Sequence, residues 1–256
     1  CIDAGTIAFT GDGMYDDMFK GPLEILKKQQ GYGVPTIKPW AKEHMKWRMD
    51  LAAEVNALAI ASDIDASGLT NLRKSVTPVG FKTVEDLKEL RALGYDGITI
   101  GVETGDDESL TFMNKGFQSK DVLEQCRKLD GAGISYNFFY LTGIYGAGRG
   151  EVGAKKTAML FNQLNPKIIE SSMLTIYKTS ELYQEIQKGN WKEESEIEKL
   201  IELKTLVENL TINTRIVTDG ASNLIQVRGN LPADKKKLIK HLEYQISNAD
   251  EASLRE

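Results

Sequence analysis

The stretch Gly97-Ile98-Thr99-Ile100-Gly101-Val102-Glu103-Thr104-Gly105-Asp106-Asp107-Glu108 decides the fold of this chain. Its first six residues read as a β-strand, and the polar, glycine-bearing stretch after Val102 reads as the turn that stops it. Before it, Thr83 is an N-cap with Asp86 in the capping-box region, and Leu87, Leu90 and Leu93 form one apolar stripe up to Gly94. After it, a helix is predicted over 119–129, closed by Gly131-Ala132-Gly133. An aromatic-rich strand over 134–141 then runs into the glycine-rich segment 143–150. A helix over 155–164, the Asn165-Pro166 break and a strand over 168–177 complete the series.

The same alternation extends upstream. Residues 6–10 read as a strand ending at Gly11-Asp12-Gly13, followed by a helix carrying Leu23, Ile25 and Leu26. A helical run with Met45, Trp47, Met49, Leu51 and Val55 precedes a strand over 57–61. From Ser180 onward the pattern is mainly helical, broken by a β-like segment over 211–217 and a loop over 219–232. Short apolar runs alternating with longer helices are the pattern of parallel βα units. The rhythm gives at least five βα steps, so the expected fold is α/β, a parallel barrel or part-barrel with a helical C-terminal extension; an open doubly wound sheet is the competing architecture. Residues 1–185 are read as the barrel core and 186–256 as the mainly helical extension packed on it.

Composition narrows the partners. A formal net charge of −5 with no Lys/Arg block disfavours nucleic acid and anionic membranes as partners. No apolar run approaches a membrane span, and the N-terminus does not read as a signal peptide, so a cytoplasmic protein is expected. The two cysteines, Cys1 and Cys126, are far apart, and the two histidines, His44 and His241, lack companions at ligand spacing. Cys126 reads as a small core residue, and the scattered Trp40, Trp47 and Trp191 read as packing.

In parallel α/β folds ligands bind beyond the carboxyl ends of the strands. Gly11-Asp12-Gly13, Ser62-Asp63, Glu103-Thr104 and the 143–151 segment all fall at such ends, and their convergence on one mouth carries more than any one of them. Singly, each has two readings. Gly-Asp-Gly is a ligand cradle or an ordinary βα turn. Arg149 clamps a carboxylate bidentately or is a solvated loop residue. Glu103 accepts from a ribose diol or an ammonium group, or forms a salt bridge with a residue such as Lys115. The segment 143–150 lacks the spacing of a phosphate-binding P-loop and does not open a first βαβ unit as a dinucleotide fingerprint does.

The segment YDGITIGVETGDDESLTFMNKG (95–116) resembles the fourth-strand region of radical SAM enzymes, in the group that includes methylthiotransferases and oxygen-independent coproporphyrinogen oxidase. IAFTGDGM resembles the second-strand region with its Gly-Gly-Glu-type motif, FFYLTGIYGAGRGE the fifth strand and its exit, and NPKIIESSMLTIYKTSELY the sixth. SNLIQVRGNLPADKKKLI is similar to a C-terminal motif of the group. The resemblance implies a partial parallel (β/α)6 TIM-like barrel, with S-adenosylmethionine (SAM) and a 4Fe–4S cluster as cofactors. It places Gly11, Asp12 and Gly13 at the amino group of SAM, and Ser62, Asp63 and Glu103 near its ribose or methionine part. Arg149 falls at its carboxylate, with Lys115 behind. The implied reaction is reductive cleavage of SAM to a 5′-deoxyadenosyl radical acting on a small-molecule or peptide substrate, fed by an external electron donor such as flavodoxin or ferredoxin.

Three departures stand against that pattern. The Cys-x3-Cys-x2-Cys loop is absent, so the cluster ligands are not in these 256 residues and the barrel core is expected to lack its first strand and cluster loop. Gly-Asp-Gly replaces Gly-Gly-Glu, and Lys178-Thr179-Ser180 replaces Gly-Thr-Pro. Two further readings follow: a cluster-free nucleoside or small-metabolite binding protein using the same cleft, and a metal-independent barrel enzyme with Glu103 and Asp63 as acid and base.

Overall fold

The computed structural model describes residues 83–92 and 97–251, together with four two-residue strands nearer the N-terminus. The chain divides into two compact units, 1–82 and 83–256. In the first, β1 (Ala8–Phe9) pairs in parallel with β2 (Gly33–Val34), and β3 (Thr36–Ile37) pairs in parallel with β4 (Ala61–Ser62). Gly11, Asp12, Gly13 and Asp63 lie outside the described residues, and of Ser62 only the backbone pairing with Ile37 is described.

The second unit opens with α1 (Val84–Ala92), and the anticipated cap is present: Asp86 N donates to Thr83 Oγ1 at 3.1 Å and Thr83 N to Asp86 Oδ2 at 2.8 Å. β5 (Gly97–Glu103) leads to the short α2 (Asp107–Phe112) and then α3 (Ser119–Ala132). α3 runs past Gly131 and ends at Gly133, whose φ of 70° suits a residue without Cβ. β6 (Ser135–Thr142), α4 (Gly150–Phe161), β7 (Ile168–Met173), α5 (Glu181–Gln187), α6 (Glu196–Asn209), β8 (Thr214–Val217), β9 (Arg228–Leu231) and α7 (Lys235–Asn248) follow.

The five strands form one sheet in the order β5-β6-β7-β8-β9, parallel except for the last pair. Strands adjacent in sequence are adjacent in space, as in an arc of a (β/α) barrel; a doubly wound sheet would reverse its order partway. The strand burial is one-sided too. Tyr136, Phe138, Tyr140 and Thr142 of β6 are buried toward the helical layer, where α3 and α6 pack, whereas Asn137, Phe139 and Leu141 on the opposite face are more open. Phe138 stacks on Tyr136 and meets Phe161 of α4 with ring centroids 4.8 Å apart. The architecture is thus mixed α/β with a parallel-dominated sheet.

Two elements differ from the sequence reading. α2 forms where a polar turn is expected, because Asp106 caps it by accepting from Ser109 N at 3.1 Å. β9 forms inside the expected 219–232 loop: Gly229 and Asn230 are poor strand formers, but antiparallel pairing with β8 holds them at the sheet margin.

Candidate functional site

The carboxyl end of β5 is built around a backbone irregularity. The ladder to β6 slips between Gly101 and Glu103, a bulge that leaves Val102 unpaired in that register. Glu103 then takes φ = 65°, and Thr104 N donates to Val102 O at 2.7 Å, closing a three-residue γ-turn around it. A glutamate at positive φ stores strain of about 1–3 kcal/mol. The carboxylate folds back over Gly101, where a Cβ would lie 3.0 Å from Glu103 Oε1. Gly101 pairs with Phe139 on the face opposite the helical layer, so Gly101 is the vacancy that lets the carboxylate rest on that face. Lys115, delivered by the turn after α2, stands 3.4 Å from Glu103 Oε1. Both partners keep about a quarter of their side-chain surface open, at 22% and 25%.

Asp106, next along this end, is almost fully buried and heavily bonded. It accepts from Ser109 Oγ at 2.7 Å and from Lys156 Nζ at 2.5 Å, and Arg149 Nη2 lies 3.6 Å away. Burial alone would push its carboxyl up, but Lys156 and Ser109 hold it below the usual carboxylate range. Arg149 also reaches Glu108 at 2.9 Å. The guanidinium that sequence places at a ligand carboxylate is thus oriented by two acids of the β5–α2 corner and remains nearly half exposed, at 46%.

The exit of β6 is the most densely hydrogen-bonded part of the site. Tyr145 OH receives a bond from Thr104 Oγ1 at 2.8 Å and meets Thr157 Oγ1 at 2.8 Å, and Gly105 N donates to that same threonine at 2.7 Å. The ends of β5 and β6 and the body of α4 are pinned together by these three buried hydroxyls. The glycines of 143–153 serve this packing. A Cβ on Gly146 would meet Trp191 Nε1 at 2.8 Å, and one on Gly153 would lie 2.1 Å from the Tyr145 ring. Three loop amides are taken by the 191–202 segment: Gly143 N by Glu202 Oε2 at 2.9 Å, Ala147 N by Lys192 O at 2.9 Å and Gly148 N by Glu198 Oε1 at 2.9 Å.

Of the residues singled out from sequence, Glu103 and Arg149 therefore stand at the ends of neighbouring strands and are linked through α2. Gly11, Asp12, Gly13 and the side chains of Ser62 and Asp63 fall outside the described residues. Sequence reasoning missed Asp106, Tyr145, Glu194 and Glu202. The spacing of Asp106 and Ser109 was available as an N-cap signal, whereas nothing local marks the other three. His241 is exposed on α7 and Trp191 is buried as packing against Gly146.

The cofactor question divides. A partly open carboxylate cradled over a glycine and steadied by Lys115 fits the hydroxyl or ammonium donors of SAM. A 4Fe–4S cluster with one open iron requires three thiolates, and the sequence holds two cysteines. Cys126 lies fully buried in α3 as a core residue, and burial pushes its thiol up to about 12. Among the described residues no group of three or more His, Cys, Asp or Glu side chains is placed to hold a metal ion. These residues do not fit the cluster. Nor, among the described residues, is any helix long and apolar enough to cross a membrane.

Residues 29–154 match the family model described as the radical SAM superfamily. None of the curated proteins compared matches the chain. Among solved structures, the archaeal Methanocaldococcus infernus Elp3 with an N-terminal deletion (1–46) is similar over 84% of this chain and 63% of its own length, at 13% identity and a TM-score of 0.49.

Proposed function

From the premise that this chain belongs to the radical SAM superfamily through residues 29–154, we propose that it binds SAM at the carboxyl ends of its parallel strands. The observation that carries this reading is Glu103: a strained carboxylate at a strand end, with a glycine beneath it and a lysine beside it. Strain of this kind persists only where the surroundings over-determine it, and a ligand carboxylate is one reason to keep it. In the proposal Glu103 accepts from the ribose hydroxyls or the ammonium of SAM, with Lys115 tuning its position. Arg149, aimed by Asp106 and Glu108, pairs with the SAM carboxylate as a bidentate donor.

When bound to its cluster, SAM supplies the superfamily's chemistry, reductive cleavage to a 5′-deoxyadenosyl radical. That reaction, its electron donor and its substrate stand or fall with thiolates that these residues do not provide as a set. The part assigned to this chain is ligand capture and orientation. The open sheet face beside Glu103, with Asn137, Phe139 and Glu170, is where a substrate would lie in this proposal; burial and the neighbouring Asp219 push the Glu170 carboxyl above its ordinary range there.

Calorimetric titration with SAM tests the reading. The unaltered chain is expected to bind, and Glu103→Gln, which keeps the shape and removes the charge, to bind at least tenfold more weakly. Lys115→Met is expected to have a smaller effect. Equal affinity of the unaltered and Glu103→Gln proteins would remove Glu103 from the site. Tight binding of adenosine with indifference to the methionine part would favour the nucleoside-binding reading instead.

A further inference from the structure

Glu194 and Glu202 are both fully buried, and among the described residues neither forms an ion pair. Glu202 Oε1 accepts from Tyr140 OH at 2.5 Å and its Oε2 from Gly143 N at 2.9 Å. Both oxygens of Glu194 lack a donor when the two groups are ionised. A Cβ on Gly150, the first residue of α4, would lie 2.9 and 3.0 Å from the Glu194 oxygens and 3.1 Å from Glu202 Cβ, so the two acids converge on one spot under the loop. Two buried carboxylates this close cannot both stay ionised without a compensating charge.

The surroundings offer little compensation. From β6 comes Tyr140, and from the exit loop Tyr145, both neutral phenols whose ionisation burial pushes far up. From α6 come Glu198, which adds negative charge, and Lys199, whose field partly offsets Glu194 but whose ammonium is bonded to Glu193 at 3.0 Å and Glu196 at 2.8 Å. Lys192 acts on Glu198. A proton held between Glu194 and Glu202 turns their contact into a hydrogen bond and removes one of the two buried charges.

We infer that Glu194 and Glu202 form a proton-sharing carboxyl pair that latches the 191–202 segment onto the exit loop of β6, and that losing protons from this pair unlatches the loop carrying Arg149. The latch goes beyond the proposed ligand site and exists with or without SAM. Its direction follows from linkage. Burial, the first cause in each case, raises Glu194 to about 7 and Glu202 well above the ordinary glutamate range. In the unlatched loop both groups meet water and return to that range. The latched state therefore holds the extra protons, is favoured at acidic pH, and is lost as pH rises through the raised values. Each proton held in excess makes unlatching about tenfold easier per pH unit.

Amide hydrogen exchange on the whole chain tests this. Protection of peptides covering 143–150, corrected for intrinsic rates, is expected to fall about tenfold or more per pH unit between pH 6 and 8, while peptides in the centre of β6 change less. Glu194→Gln, isosteric and able to donate to Glu202, is expected to flatten that slope. A flat profile in the unaltered protein overturns the latch, as does an unchanged slope in Glu194→Gln. Should the variant fail to fold, carbon NMR of the glutamate carboxyls in the unaltered protein decides. One carboxyl titrating near neutrality and another still protonated there support the pair; all carboxyls titrating below pH 5.5 overturn it. Protection that follows added Mg2+ or Ca2+ in place of pH also overturns it, because a cation and not a proton would then neutralise the pair.

Discussion

Replacing Glu103 separates the strain of the site from its chemistry. Holding an L-residue at positive φ costs about 1–2 kcal/mol, which glycine escapes. Glycine in exchange brings about 0.5–1 kcal/mol of extra backbone entropy to the unfolded chain relative to alanine. Both Glu103→Gly and Glu103→Ala lose the partly open ion pair to Lys115, so that loss cancels between them. What remains is strain relief against entropy, and Glu103→Gly should exceed Glu103→Ala in stability by about 0.5–1 kcal/mol. At an ordinary strand position the sign is reversed, which makes the comparison diagnostic. Urea unfolding of the two variants, read as midpoints at unchanged slope, measures the difference. Both variants are also expected to lose SAM binding, so the glycine form would be the better-folded and non-binding protein. If alanine proves as stable as glycine, Glu103 is not strained and the observation that carries the proposed site fails.

Other expectations follow from the same geometry. Gly153→Ala would place a methyl 2.1 Å from the Tyr145 ring and should destabilise the chain by about 3 kcal/mol, measured by thermal unfolding. The Asp106 carboxyl is held below its ordinary range, so its contribution is present above the unfolded value and lost as pH falls through the folded one. Asp106→Asn should therefore narrow its stability gap to the unaltered protein in melts taken below pH 4. Anaerobic incubation of the 256-residue chain with iron and sulfide should leave far fewer than four irons bound, by metal analysis; four per chain would show that the two cysteines are not the whole ligand story.

Much of the fold was legible because its signals are local. The β-branched run at 97–102 becomes β5, and the Thr83/Asp86 cap opens α1. The loop reading of 219–232 failed at β9 because its strand character comes from β8, not from Arg228-Gly229-Asn230-Leu231 itself. In the site, Glu103 announced itself as a carboxylate ending an apolar strand, and Lys115 as a basic neighbour. The role of the glycine-rich exit was not legible: those glycines look like a ligand cradle in sequence, whereas Gly146 and Gly153 admit Trp191 and Tyr145. Glu194 and Glu202 sit in a run of surface-like acids, and only tertiary packing of α6 against α4 sends them inward. Long-range burial of a charged side chain leaves no trace in periodicity.

The central claim is that SAM lies against the carboxyl end of β5. Hydrogen exchange of the chain with and without saturating SAM tests it directly. Peptides covering 101–106, with Glu103 and its γ-turn, are predicted to gain protection, and Glu103→Gln to abolish that gain. SAM binding that leaves 101–106 unchanged, or no binding at all, would contradict the account.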